Sequence, residues 1–322
     1  MALASVEIAE RLAALVDGDF DDEVATWIDH QGNGQAVHRT ILNLHTARQH
    51  RAVLALARMT LPEATSALDR WNPPGMLLVP AGPFMMGSTE YSDEAPFHTV
   101  WLNAYWIDRY PVTNAQWQVF VEYGHRGQLV LGPGYERWMA DALVAFAPLG
   151  WESRKLLSDH PVRGVCWYEA LLYSCATGKA IVSEAQWEKA ARGTDARRYP
   201  WGDHNGTDGL CNTRMCEVDL TTAVGRYSPD GDSALGIADM AGNVWEWTSS
   251  LYRPYPYDPD DGREDLTAAG LRVLRGGSFA DGDDDARVTC RRRFTPDCRL
   301  WDHGFRLGVT ANVLRSQARR KE

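Results

Sequence analysis

Apolar residues recur at helical spacing over the first part of the chain. Ile8, Leu12 and Leu15 follow the i, i+4, i+7 pattern of one helix face, and a second such run extends over 53–61. Two consecutive prolines at 73 and 74, followed by glycine, end the pattern. The sequence therefore predicts a small helical N-terminal domain over residues 1–70.

From residue 76 onward, short apolar runs alternate with glycine-rich turns, and tryptophans become frequent. Ser183 is a predicted N-cap, with Gln186 at the capping-box position. The pattern predicts strands at Leu77–Val79 and Val100–Ile107. It predicts helices at Asn114–Tyr123 and Ser183–Arg192. It predicts one long loop at Arg253–Gly270.

Composition narrows the class of protein. With 322 residues, 44% of them hydrophobic, the chain can form one large domain or a large and a small one. A net charge of −10 disfavours nucleic acid and anionic membranes as partners. The start of the chain lacks the pattern of a signal peptide, and none of the six cysteines forms a CxxC pair. These features predict a cytoplasmic protein with reduced thiols.

Several segments, in order, resemble the formylglycine-generating-enzyme domain family of bacteria and other organisms. The resemblance extends from residue 76 to about residue 310. The segments that carry it are VPAGPFMMGS from Val79, YPVTN from Tyr110, HPV from His160, SEAQWEKAARG from Ser183, DMAGNVWEW from Asp239, RGGS from Arg275 and GFR from Gly304.

This resemblance implies an α+β fold, the C-type-lectin fold in its formylglycine-generating-enzyme form, with short strands and two main helices. The domain is predicted over residues 71–314, followed by a frayed tail over 315–322. The family's structural calcium site corresponds here to Asp239, Gly242, Val244 and Glu246. Oxygen ligands of this kind suit calcium, and a carboxylate that only caps a turn is the alternative.

The oxidases of this family use two copper-binding cysteines, at the third and eighth residues after the serine of the RGGS turn. Counted from Ser278, those positions hold Asp281 and Ala286. Because Cu(I) needs soft thiolate ligands, no copper is expected. The histidines are scattered, with no short HxxxH spacing. The prediction from these residues is that the protein is not an enzyme.

The segment 279–303 lies between the two closing family motifs and mixes acids, arginines and aromatic residues without core periodicity. This layout resembles the variable proteins of diversity-generating retroelements, and 278–308 contains no Lys, Glu, Gln or Met. Four residues are predicted to be fixed scaffold: Arg287, Pro296, Asp297 and Arg299. The positions predicted to vary and to bind ligand are Phe279, Asp281, Gly282, Asp283, Asp285, Cys290, Arg293, Phe294, Cys298, Leu300, Trp301, Asp302 and His303.

Two functions follow from these observations. The first is a non-catalytic protein that binds a macromolecular ligand through a hypervariable surface. This surface carries charges of both signs, at Arg291–Arg293 and Asp281–Asp285. The N-terminal helices would bind a further protein partner. The alternative is a formylglycine-generating-enzyme-like domain with another catalytic or accessory function.

Overall fold

The computed structural model describes residues 75–121, 148, 150–177, 179–203, 209–216 and 218–310. The predicted helical domain over 1–70 and the predicted tail over 315–322 lie outside these residues. Among the helices of the described ranges, none combines the length and the apolar character needed to cross a membrane.

Four α-helices are present in these ranges: α1 (Asn114–Val119), α2 (Trp151–Arg154), α3 (Trp167–Thr177) and α4 (Glu184–Arg192). Helix α4 begins at the predicted N-cap, because the Ser183 hydroxyl accepts from the Gln186 backbone and the Gln186 side chain accepts from the Ser183 backbone. Helix α3 was not predicted. It is buried on most of its sides, so its sequence lacks the polar stripe that marks a surface helix.

Ten short strands are described: β1 (Met76–Val79), β2 (Gly82–Met86), β3 (His98–Leu102), β4 (Tyr105–Asp108), β5 (Ala180–Ile181), β6 (Trp245–Leu251), β7 (Arg272–Arg275), β8 (Arg292–Phe294), β9 (His303–Phe305) and β10 (Leu307–Thr310). They form sheets in the orders β1-β4-β10-β5, β2-β3 and β8-β7-β6-β9. All pairs are antiparallel except β6 with β9. No regular element lies within 253–270, as predicted.

The predicted single strand over Val100–Ile107 is wrong. Its first part belongs to β3 and pairs with β2, and its second part belongs to β4 and pairs with β1 and β10. A continuous apolar run gives no sign of a change of sheet, because both pieces are strand and both have buried residues.

Tryptophans dominate the core between α1, α3 and strand β6. Trp117, Trp167, Trp245 and Trp247 are buried there together with Phe305. Trp117 meets Phe305 edge-on, with 5.9 Å between ring centroids. Truncating one such side chain to alanine costs about 3–5 kcal/mol. Strand β6 is therefore held rigidly, and it supplies one wall of the candidate site.

A buried network of ion pairs anchors the segments that flank that site. Glu184 and Glu188 of α4 face Arg275 at the end of β7, and Arg291 binds both carboxylate oxygens of Glu184. All four side chains are fully buried. Arg291 thus stabilises the fold, and its predicted place in a surface cluster with Arg293 is wrong.

Candidate functional site

The site begins at the turn that follows β7. Gly277 has a φ of +74°, and a Cβ there would lie 2.8 Å from the carbonyl oxygen of Asp285. Glycine is therefore required for both the backbone angle and the close approach. The turn directs the Ser278 hydroxyl into the protein, where the side chain is buried.

Two carboxylates meet at this hydroxyl. Ser278 Oγ lies 3.0 Å from Asp302 Oδ2 and within hydrogen-bonding distance of Asp281 Oδ2. Asp281 is also held by Trp245 Nε1, at 2.7 Å from Oδ2, and by Arg292 Nη2, at 2.9 Å from Oδ1. The Trp245 backbone N–H donates to the Asp302 carbonyl at 2.9 Å, which fixes the second carboxylate against β6.

A serine hydroxyl carries one proton, so it can donate to only one of the two carboxylates at a time. Asp281 receives further donors from Trp245 and Arg292. Burial raises the pKa of Asp302 above its ordinary value and the negative charge of Asp281 raises it further, while the Ser278 hydrogen bond lowers it. Asp302 therefore holds a proton more readily than an ordinary aspartate.

His303 lies beside this pair and is fully buried. Its Nε2 is 3.8 Å from Asp302 Oδ1. Burial, aided by the nearby charge of Arg292, lowers the pKa of His303 to about 3, so the imidazole is neutral at physiological pH. Among the residues that the structure describes, neither ring nitrogen of His303 has a hydrogen-bond partner, and neither has Asp302 Oδ1.

An aromatic rim adjoins the carboxylates. Trp301 is 44% exposed and meets Phe279 edge-on, with ring centroids 4.9 Å apart. The Arg163 guanidinium lies 5.3 Å from the Phe279 ring, and its Nη1 donates to the Trp301 carbonyl at 2.6 Å. Burial and the neighbouring Arg154 lower the pKa of Arg163 to about 10. The arrangement offers carboxylates, a neutral imidazole and an exposed indole within one small region.

The predicted variable residues occupy different depths. Arg293 and Trp301 are exposed, whereas Phe279, Asp302 and His303 are buried. The remaining eight are half-buried: Asp281, Gly282, Asp283, Asp285, Cys290, Phe294, Cys298 and Leu300. The thirteen predicted positions therefore form a surface that is partly exposed and partly buried in the core.

Two predicted scaffold residues make ion pairs with distant carboxylates. Arg287 binds Glu94 at 3.0 Å, and Arg299 binds Glu169 at 2.9 Å. Pro296 is half-buried and Asp297 is exposed. Through these two ion pairs, the arginines anchor the segment 279–303 to distant parts of the domain.

Two residues of the predicted calcium site already have protein partners. Both carboxylate oxygens of Glu246 accept hydrogen bonds from Arg306 at 2.7 Å. Trp187 Nε1 also donates to Glu246 Oε2 at 2.7 Å. Asp239 accepts from the Gly225 backbone at 2.6 Å, and burial raises its pKa to about 6.

The other two calcium residues, Gly242 and Val244, lie in the turn before β6, where the Val244 N–H donates to the Gly242 carbonyl at 2.9 Å. A calcium ion would have to compete with Arg306 for Glu246, and calcium binding stays a prediction. Within the described ranges no group of three or more His, Cys, Asp or Glu side chains is arranged to hold a metal.

The positions of the family's copper cysteines can be compared directly with this site. Asp281 is one of the two carboxylates, and Ala286 is fully buried with no ligand atom. Cys290 lies nearby, with Sγ 3.8 Å from Asp285 Oδ1, and burial raises its pKa to about 12, so it stays a thiol. The expectation of no copper stays a prediction that rests on these residue types.

Comparison with known proteins identifies the family of this chain. Residues 62–311 match the sulfatase-modifying factor enzyme 1-like domain. The chain belongs to this family. Its fold is the formylglycine-generating-enzyme form of the C-type-lectin fold, as predicted.

Several relatives of this chain carry the names of enzymes. It is 35% identical to the hercynine oxygenase of Mycolicibacterium thermoresistibile over 69% of this chain and 52% of that protein. It is 33% identical to the formylglycine-generating enzyme of Streptomyces coelicolor over 76% of this chain and 92% of that protein. The chain thus spans about half the length of the first of these relatives.

Two solved structures share the fold. Treponema denticola variable protein 1 and PvdO from Pseudomonas aeruginosa each superimpose with a TM-score of 0.55, over 73% of this chain and 94% of the other. Their identities of 22% and 24% show a common fold alone.

The prediction that the protein is not an enzyme is wrong. It rested on the missing copper cysteines, but relatives at 31–35% identity are named as hercynine oxygenases and formylglycine-generating enzymes. Loss of the two copper-binding cysteines removes the copper-dependent oxidation, but the same fold can support other reactions.

Sequence reasoning missed Ser278 and Trp245 as members of the site. Ser278 was used only as a reference point for counting, although its place in the RGGS turn was a signal. Trp245 gave no signal, since its contact with Asp281 joins positions 36 residues apart. Arg292 was assigned to the charged surface of Arg291–Arg293, but its contact with Asp281 was not predicted.

Proposed function

We propose that this chain is an enzyme-type member of its family that binds a ligand and moves a proton at a carboxylate pair. The observation that carries the proposal is the meeting of Asp281 and Asp302 at the Ser278 hydroxyl. Asp281 stands where the family's oxidases have a copper-binding cysteine. Acid–base chemistry here takes the place of thiolate chemistry.

The pair has the asymmetry that proton transfer needs. Asp281 accepts hydrogen bonds from Arg292 and Trp245, whereas Asp302 has a raised pKa and takes up the proton. Two carboxyl groups whose environments differ in this way divide the roles of base and acid. The neutral imidazole of His303 lies next to Asp302 and can accept or donate one hydrogen bond.

Incubation of the chain with a metabolite extract tests the proposal, with mass spectrometry before and after. We expect the wild type to deplete one or more compounds, and the Asp281→Asn, Asp302→Asn double variant to deplete none. Asp297→Asn is the control, because Asp297 is exposed and the substitution is of the same kind outside the carboxylate pair. An extract that wild-type protein leaves unchanged, or that all three proteins change equally, would overturn the proposal.

Two defined additions examine the chemistry of the named relatives. Hercynine and a cysteine-containing sulfatase peptide are each incubated with the chain, with iron(II) or copper(I) supplied respectively. Because Asp281 and Ala286 offer no thiolate, we expect no conversion of the peptide cysteine to formylglycine. Conversion that depends on copper would contradict the assignment of the site to acid–base chemistry.

A second candidate function is a binding surface diversified by a retroelement. It is supported by the contrast between Arg293 and Trp301, which are exposed, and Arg287 and Arg299, which are held in ion pairs. Such a surface changes its side chains while the frame persists. Sequencing the flanking DNA tests it. A near-copy of the DNA for residues 275–306, differing at adenines and beside a reverse-transcriptase gene, is expected, and its absence would remove this candidate.

A further inference from the structure

Three buried polar atoms near the carboxylate pair lack partners among the described residues. They are Asp302 Oδ1 and the two ring nitrogens of His303. Asp302 is 6% exposed and His303 is 0% exposed, so bulk water does not solvate them. Buried polar groups in proteins are nearly always hydrogen-bonded, and each exception needs an explanation, such as a functional role or a bound water, ion or ligand group.

The charges around these atoms select the sign of that ligand group. The charge of Asp281 acts on both Asp285 and Asp302, and Asp285 is only half-buried. Arg292 lies 2.9 Å from Asp281 and 3.8 Å from Asp285, so it is shared between these two carboxylates. The charges of Arg292 and Arg163 also act on Asp302, but among the described residues neither forms an ion pair with it. An anionic ligand would be repelled here, and a cation would be attracted.

The spacing of the acceptors selects the size of the group. Asp302 Oδ1 and His303 Nε2 are 3.8 Å apart. One donor atom placed about 2.9 Å from each can bridge them at ordinary hydrogen-bond lengths. A trimethylammonium group has no proton to donate and cannot make these bonds. The geometry therefore favours a single nitrogen that carries several protons.

The exposed indole provides a place for the rest of such a ligand. Trp301 precedes Asp302 in the chain, and its ring is 44% exposed against Phe279. An alkyl chain can lie along the exposed indole, and an approaching cation is attracted to the indole face. Binding therefore requires that movement of Trp301, whose exposed side chain can change rotamer within nanoseconds, opens a path to Asp302.

We propose that this site binds the primary ammonium group of an alkylamine, such as a lysine side chain or a free amine, between Asp302 and His303. The inference rests on the proposed function, since it names the ligand class of the same carboxylate pair. Asp302 Oδ1 and His303 Nε2 each accept a hydrogen bond from one N–H of the ammonium group, and Trp301 covers the alkyl chain.

Side-chain NMR of the full chain tests this directly. The probe is n-butylammonium chloride, with tetramethylammonium chloride at equal concentration as its matched control. We expect butylammonium to shift the His303 imidazole and Trp301 indole signals in a saturable way, and tetramethylammonium to shift neither. Asp302→Asn weakens butylammonium binding about tenfold or more, because a hydrogen bond to a charged group is lost. Asp297→Asn leaves it unchanged.

Variant folding is controlled separately. Trp301→Ala removes an exposed side chain and keeps the buried atoms, so we expect a folded protein with weaker butylammonium binding. Equal shifts with both salts, no shift with butylammonium, or unchanged binding in folded Asp302→Asn would overturn the inference. If butylammonium fails while the extract assay still depends on Asp281 and Asp302, only the ligand class is wrong. If both fail, the carboxylate site itself is wrong.

Discussion

Replacement of Arg291 by alanine is the sharpest test of how the candidate site is held in place. Its Nε and Nη2 donate to Glu184 at 2.6 and 3.0 Å, and its Nη1 and Nη2 donate to the backbone carbonyls of Asp93 and Arg253 at 2.7 and 3.1 Å. The guanidinium also lies 4.0 Å from the centroid of the Tyr255 ring. Both members of the ion pair are fully buried.

The magnitude follows from the charge that the substitution leaves behind. Breaking a buried ion pair by removing one partner costs about 3–5 kcal/mol, because the other charge stays buried and uncompensated. Arg275 Nε remains 3.6 Å from Glu184 and moderates this cost, so we expect about 3 kcal/mol for Arg291→Ala. The matched control is Arg293→Ala. Arg293 is exposed and stacks on Tyr252 at 4.1 Å, and we expect a change of at most about 0.5 kcal/mol.

Urea denaturation followed by tryptophan fluorescence measures both variants, since the chain contains 13 tryptophans. The account requires a large loss of unfolding free energy in Arg291→Ala and almost none in Arg293→Ala. Equal effects of the two substitutions would refute the assignment of Arg291 to the buried network and would restore it to the surface.

Two further predictions concern the same framework. Gly242→Ala should destabilise by more than about 2 kcal/mol, because a Cβ would lie 2.3 Å from the Asn212 carbonyl oxygen at a φ of +70°. Gly262→Ala, at a φ of +85° with its nearest neighbour at 3.7 Å, should cost only the backbone strain of about 1–2 kcal/mol, and thermal unfolding compares the two. Burial raises the pKa of Glu184, but Arg291 and Arg275 lower it by more, so the net shift is downward. The stability linked to Glu184 is therefore present above its unfolded pKa of about 4.3 and is lost as the pH falls through the folded value, and acid titration of Glu184→Gln should lack this loss.

Local signals in the sequence predicted local structure well. The capping box of Ser183 and Gln186 is confirmed because it involves neighbours three residues apart. The Arg253–Gly270 loop is confirmed because proline and glycine act on their own backbone. Helix α3 was missed because a helix buried on most sides has no polar face to reveal its period.

Contacts between distant residues were beyond the reach of the sequence. Arg291 was assigned to the surface because its neighbours are charged, while its partner Glu184 lies 107 residues away. The position of Asp281 was recognised by counting from Ser278, but the approach of Asp302 across 24 residues was not. Asp302 and His303 were both assigned to a binding surface, and the structure shows them buried with unpartnered polar atoms.

Carboxyl ¹³C NMR of aspartate-labelled protein, titrated with pH, tests the shared carboxylate site most directly. The account predicts that Asp302 titrates above the ordinary aspartate value of about 3.9, because it is buried and faces the charge of Asp281. In Asp281→Asn that midpoint should fall, since the neighbouring negative charge is gone. An Asp302 midpoint at or below the ordinary value, or one that Asp281→Asn leaves unchanged, would contradict the existence of a proton-sharing pair at Ser278.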